Sequence, residues 1–191
     1  MKLFLILNDD GTIFACGTTP LGDNPILVDV EDGMDVLSNP TNYLYKDGAL
    51  VKDHELELKT ARSEKIEELN AVCNMMILSG FSHNGDDFQF TETDQSNFNQ
   101  QLSLLLLDDT LDVIVWKTEN NGIKQFNREQ FIDTCKAGEL HKRKYIGQYW
   151  RLKAYVEALT DINSISNINF NSDINNVINN NTDSNIEDEV S

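Results

Sequence analysis

The stretch that decides the fold is LELKTARSEKIEELNAVCNMMILS, residues 56–79. Within it Ile66, Leu69, Cys73 and Met76 recur at 3-4-3 spacing, which places them on one side of a helix. Val72 and Ile77 widen that stripe, and Glu64, Lys65, Glu67 and Glu68 occupy the other side. Gly80 follows as a C′ residue that ends the helix. Upstream of Leu56 the apolar residues come instead in short runs with period two. The change of period near Leu56 therefore separates a strand-rich part from a helical part.

Working back toward the N-terminus, Leu3–Leu7 and Thr12–Cys16 flank Asn8-Asp9-Asp10-Gly11. Asn, Asp and Gly tolerate positive φ, so this reads as a hairpin. Ile26–Val30 is a further strand. Tyr43–Tyr45 and Ala49–Val51 flank Lys46-Asp47-Gly48, a second hairpin turn. Nothing here has the Gly-rich strand–helix fingerprint of a phosphate-binding fold.

Working forward, Gly80 to Asp87 reads as a turn-rich loop and Phe88–Thr91 as an aromatic strand. Thr91 or Thr93 caps a helix running through Phe98, Leu102 and Leu105–Leu107. Val113–Trp116 and Ile123–Phe126 form a hairpin around Glu119-Asn120-Asn121-Gly122. A helix from Asn127 to about Lys136 is expected to be interrupted at Gly138, and a last long helix to span about Glu139–Thr160. Isoleucines at 162, 165 and 168 allow one or two more packed turns. From Asn171 the Asn-rich, cation-free sequence reads as a flexible tail. The expected fold class is α+β: a β-rich attachment module over 1–55, a helical module with an inserted hairpin over 56–170, and the acidic tail over 171–191.

The 191 residues carry 15 Lys+Arg against 32 Asp+Glu, a net charge of −17. A phosphate backbone repels so negative a chain, which argues against nucleic acid as a partner. The sign is uneven, being −7 over 1–60, −6 over 61–108, +2 over 109–160 and −6 over the remainder. The basic region centres on Lys142, Arg143, Lys144 and Arg151, interleaved with Tyr145, Tyr149 and Trp150. In an acidic protein such a segment suits an acidic partner surface, including that of another copy. Two heptads in the first helix also allow a short coiled coil, although packing within its own domain is the expected use.

The chemistry-bearing residues are scattered. Cys16, Cys73 and Cys135 are odd in number and widely spaced, so neither a disulfide framework nor a zinc knuckle is expected. His54, His83 and His141 stand alone, with no ligand-spaced neighbour. Asp86-Asp87 lacks the alternating ligands of a calcium loop and reads as a turn. No catalytic residue, metal ligand or cofactor is expected. Leu3–Leu7 is too short an apolar run for a membrane span or a signal peptide, so no membrane insertion is expected.

Several motifs in order resemble a domain that recurs in tailed-phage tail-fibre and baseplate proteins. They are Ala61–Asn70 with Cys73 and Ile77, then Gly80-Phe81, Phe88-Gln89-Phe90 and Asp94-Gln95-Ser96-Asn97. His141-Lys142, Leu152-Lys153 and Ala158-Leu159-Thr160 follow on the last helix. The hairpin Tyr43–Val51 is similar to the attachment module of baseplate proteins from PBSX-type prophages and contractile bacteriocins. The hairpin strand at 113–116 is longer and more apolar than that pattern, and the Asn-rich tail has no counterpart in it. The resemblance implies a non-enzymatic virion structural protein in the tail baseplate, assembled in the bacterial cytoplasm. It would be present in multiple copies, with other baseplate or tail-fibre proteins as partners. Tyr43 and Tyr45, together with the basic residues, would be the partner contacts. A tail-fibre assembly chaperone, absent from the mature particle, is the alternative that the same resemblance allows.

Overall fold

The computed structural model describes residues 1–22 and 24–174, and the protein is α+β. The expected flexible tail lies outside these residues from position 175 onward. Of its described part, Ile174 is buried, as is Phe170 just before it.

Two compact units divide the chain inside its helices. The first comprises Met1–Ile66 and Val156–Ile168; the second comprises Glu67–Tyr155 and the described residues from Asn169. Strand gives way to helix where the change of period places it, but the compact units divide further along, between residues 66 and 67.

In the first unit, β1 (Lys2–Leu7) lies between β2 (Ile13–Gly17) and β3 (Ile26–Asp29), antiparallel to both. Alternation sends Leu3, Leu5 and Val28 to one face, where they meet Ile13, Val30, Val36 and Tyr43 in the core. A 3₁₀ turn at Pro40–Asn42 leads into the hairpin β4 (Tyr43–Lys46) and β5 (Ala49–Lys52). The Tyr43 hydroxyl donates to Asp35, so this tyrosine is covered by the core and by its own hydrogen bond.

Helix α1 (His54–Leu78) begins at Asp53, whose carboxylate accepts from the backbone N–H groups of Glu55 and Leu56. Arg62 on α1 donates to the Leu159 carbonyl at 3.0 and 2.6 Å, beyond the end of α3 (Arg128–Ala158). A cation there satisfies a carbonyl that the helix cannot pair itself. The short α4 (Ile162–Ser166), capped by Asp161, completes this unit and buries Ile165.

The second unit differs from expectation in two regions; in the first, the strand expected over Phe88–Thr91 instead ends at Phe88. Residues 80–87 are a hairpin rather than a loop, formed by β6 (Phe81–His83) and β7 (Asp86–Phe88). The turn residues Asn84 (φ 49°) and Gly85 (φ 81°) both take positive φ, the two-residue turn that suits the strands' twist. The second difference is α3 itself, which runs unbroken through Gly138. That glycine answers a packing demand, because an added Cβ would stand 2.9 Å from the Phe90 ring and 3.0 Å from the Phe81 ring.

Helix α2 (Glu92–Leu107) starts with a capping box, in which Thr91 and Asp94 bond reciprocally. The hairpin β8 (Val113–Thr118) and β9 (Gly122–Asn127) turns Ile114 and Phe126 inward. The core of this unit is aromatic. Phe81 stacks on Phe88 with ring centroids 5.1 Å apart, and Trp116 lies 4.5 Å from Phe98 and 5.0 Å from Phe131. Leu69, Cys73 and Ile77 of α1 are buried in the same unit, with Leu152 of α3.

Candidate functional site

Helix α3 carries the densest group of cations, and the second unit has a groove on each side of it. One groove, of about 870 Å³, is lined by Gly80, Phe81, Phe88, Leu140, His141 and Lys144, among others. The other, of about 530 Å³, has Phe90, Phe98 and Leu102 beneath Gln95, Lys142 and Arg143.

The first groove is organised by His141. Its Nε2 lies 3.1 Å from the Ile77 carbonyl oxygen and 3.2 Å from that of Met76, in the last turn of α1. Both partners are acceptors, so Nε2 bears the proton and donates. The ring packs edge-on against Tyr145 and Phe90, and the Lys144 ammonium sits 5.2 Å from the Tyr145 ring centre. A cation beside an aromatic face on the rim of an open groove of mixed lining, which also holds Asp87 and Glu119, suits recognition of a polar surface.

In the second groove, Lys142 Nζ donates to Gln95 Oε1 at 2.8 Å, and Gln95 Nε2 donates to the Phe90 carbonyl at 3.1 Å. Arg143 is engaged along its own helix with Glu139 at 2.8 Å. Burial pushes the Cys135 thiol up to about 11, so it stays protonated at neutral pH and packs as an apolar group. Cys16 and Cys73 are free thiols, also raised by burial.

The basic residues Lys142, Arg143, Lys144 and Arg151 do not share one side of the helix. Lys144 and Arg151 lie seven residues apart, close to two turns, and share an exposed side. Lys142 lies about 200° around the helix from Lys144, facing α2. Tyr43 is 2% exposed and Tyr45 half-buried against the same core, so Tyr43 is a packing residue and not a contact presented to a partner.

Other polar clusters serve the fold. His83 Nε2 is 3.0 Å from Asp133 and 3.0 Å from Asn84, but the neighbouring Ser82 hydroxyl donates to Asp87. Ser82 and His83 thus do not form a nucleophile–base pair. Asp86 is held by Lys124 and Asn121 across two hairpins. This cluster escapes sequence reading, although Asn84-Gly85 is itself a hairpin signal. Among the described residues no group of three His, Cys, Asp or Glu is placed to hold a metal ion, and no helix is long and apolar enough to cross a membrane.

A scan against protein families matches a domain of unknown function, DUF4376, over residues 60–170. The chain belongs to the DUF4376 family. The DUF4376 match takes in both grooves and every cation of α3, and it leaves out the five strands of the first unit. No curated protein and no solved structure matches this DUF4376 chain.

Proposed function

We propose that this protein is a non-enzymatic structural component of a bacteriophage or phage-tail-like baseplate, linking the tail to receptor-binding fibres or to neighbouring baseplate subunits. The observation that carries the reading is the ordered set of motifs between Ala61 and Phe170 that resembles tail-fibre and baseplate proteins. Those motifs occupy defined places. Gly80-Phe81 closes α1 and opens β6, Asp94-Gln95 forms the first turn of α2, and His141 and Leu152 anchor α3.

The first unit supplies the attachment. Among the described residues β3 pairs only with β1, leaving its other edge for a strand from a partner. Leu27, at the centre of β3, is 51% exposed beside that edge. The exposed cations Lys144 and Arg151 supply an electrostatic contact to an acidic neighbour.

Mass spectrometry of purified mature particles tests the reading. A structural component is retained at a fixed ratio to the other baseplate proteins. Expression during assembly with absence from finished particles would replace this reading with the fibre-assembly chaperone.

A further inference from the structure

We propose that the free edge of β3 takes a strand from a partner in which lysine or arginine alternates with apolar residues. Met1 and Val30 exchange both backbone bonds, the Met1 amine donating to the Val30 carbonyl at 3.0 Å and the Val30 N–H to the Met1 carbonyl at 2.7 Å. In an antiparallel pair the bonded positions alternate. With Leu3 opposite Val28 and Leu5 opposite Ile26, the N–H and C=O groups of Val28 and Ile26 therefore turn toward β1. Those of Leu27 and Asp29 turn the other way, and among the described residues no strand is hydrogen-bonded on that side. A row of unpaired donors and acceptors is complementary to an extended backbone.

The same alternation sets what the added strand carries. Val28 is buried and Ile26 half-buried on the core face, while Leu27 and Asp29 are exposed on the other. A strand laid along the edge continues both rows. Apolar side chains on its core side lengthen the row of Ile26 and Val28. On its outer side a long cation reaches Asp29 while its stem covers Leu27, as lysine and arginine stems do on apolar surface.

Charge fixes the sign of that outer row and disfavours a second copy. Between Lys2 and Lys46 the chain has no Lys or Arg and carries seven Asp and Glu. Three of them, Asp29, Glu31 and Asp32, stand exposed at and just beyond the end of β3, and Lys2, opposite Asp29, is the one cation of the sheet. A basic strand is drawn to this edge by these carboxylates and by the net charge of −17. Two β3 edges brought together would set the same carboxylates against their own kind. The strand is the partner's half of the attachment proposed above, so this inference rests on that reading of β3, and on no identity for the particle.

Amide NMR of the labelled full chain, titrated with a capped eight-residue peptide alternating lysine and valine, tests it. Expected are shifts and slowed hydrogen exchange at the Leu27 and Asp29 amides, with binding that weakens as salt is added. The same peptide with glutamate for lysine should bind at least about tenfold more weakly. Leu27→Pro should lose binding with the β1 pairing intact, because proline is tolerated on an edge whose N–H faces outward. Should that variant fold poorly, Leu27→Lys blunts the edge with a charge and carries the same expectation. The absence of any shift at β3 up to about a millimolar of peptide overturns the proposal. So does equal binding of the glutamate peptide, or a folded variant that binds as the wild type does. Shifts at the same amides that grow with protein concentration alone would give the edge to a second copy, and overturn it too. A failed titration removes the β3 assignment without touching retention in particles; absence from particles removes the baseplate reading and leaves the edge binding standing.

Discussion

The carboxylate of Asp86 on β7 is clasped by Lys124 on β9, whose ammonium lies 2.7 Å from each of its oxygens. Asp86 is 3% exposed, and Asn121 Nδ2 adds a third contact at 2.7 Å. Around them the Asp87 carbonyl accepts from Glu119 N–H, and the Gly85 carbonyl accepts from Asn120 and Asn121. Two short hairpins, each marginal alone, are thereby fastened at their turns.

Removing only the lysine should therefore cost more than removing both partners. Lys124→Met leaves a covered carboxylate without its counter-charge, whereas Lys124→Met with Asp86→Asn leaves neither charge. Chemical denaturation of the two single variants and the double should give a strongly non-additive cycle, with the double more stable than Lys124→Met. The hydrogen bond from Lys124, and then that from Asn121, holds the Asp86 carboxyl below the usual carboxylate range. A lowered folded value means that its stabilisation is complete above the unfolded value and is lost as pH falls through the folded one. The stability difference between wild type and Asp86→Asn should thus be constant near neutrality and shrink below about pH 4. A difference that grew on acidification would contradict the clasp.

The two glycines of α3 should respond oppositely to alanine. An added Cβ at Gly138 would meet the Phe90 and Phe81 rings at 2.9 and 3.0 Å, whereas at Gly147 it would meet nothing within 4 Å. Alanine favours a helix over glycine at both positions, but overpacking the aromatic core outweighs this at one of them. Gly138→Ala should destabilise by about 1–3 kcal/mol, and Gly147→Ala should stabilise by about 0.5–1 kcal/mol. Urea titration of each variant measures both.

Leu69 on α1 and Leu152 on α3 are each 1% exposed. Truncating either to alanine should cost about 2–5 kcal/mol, the range for a cavity left among packed side chains. A loss below half a kcal/mol at both sites, by the same titration, would mean that these helices do not share a dry core.

How far the sequence could be read follows from where the decisive force is local. The hairpins at Asp47-Gly48 and Asn121-Gly122 and the long α1 were legible because turn residues and 3.6-residue periodicity act within a few positions. Gly138 misled because intrinsic propensity marks glycine as a break, while its actual role depends on Phe81 and Phe90, nearly 50 or more residues away. The hairpin at Asn84-Gly85 looks like loop in the sequence because its strands have only three residues each and are held by Asn120, Asn121 and Lys124. The candidate site was legible only as composition. The run 142–144 announces cations, but which of them faces α2 and which a groove is set by helix rotation against a core that no local pattern encodes.

That rotation separates two kinds of lysine, and substitution should tell them apart. Lys142→Glu places a carboxylate beside Gln95 Oε1, losing the 2.8 Å bond and setting two acceptors together, so it should lower thermal stability. Lys144→Glu combined with Arg151→Glu changes two exposed positions on one side of α3 and should leave stability nearly unchanged. If that side meets an acidic neighbour in the baseplate, the pair variant should enter particles more slowly than wild type. Charges at the rim of an interface act mainly on the association rate. Added salt should slow the wild type by screening its attraction and speed the variant by screening the repulsion that its two new carboxylates introduce. Incorporation measured in a complemented lysate at two ionic strengths decides it: a wild-type rate indifferent to salt would remove Lys144 and Arg151 from the contact.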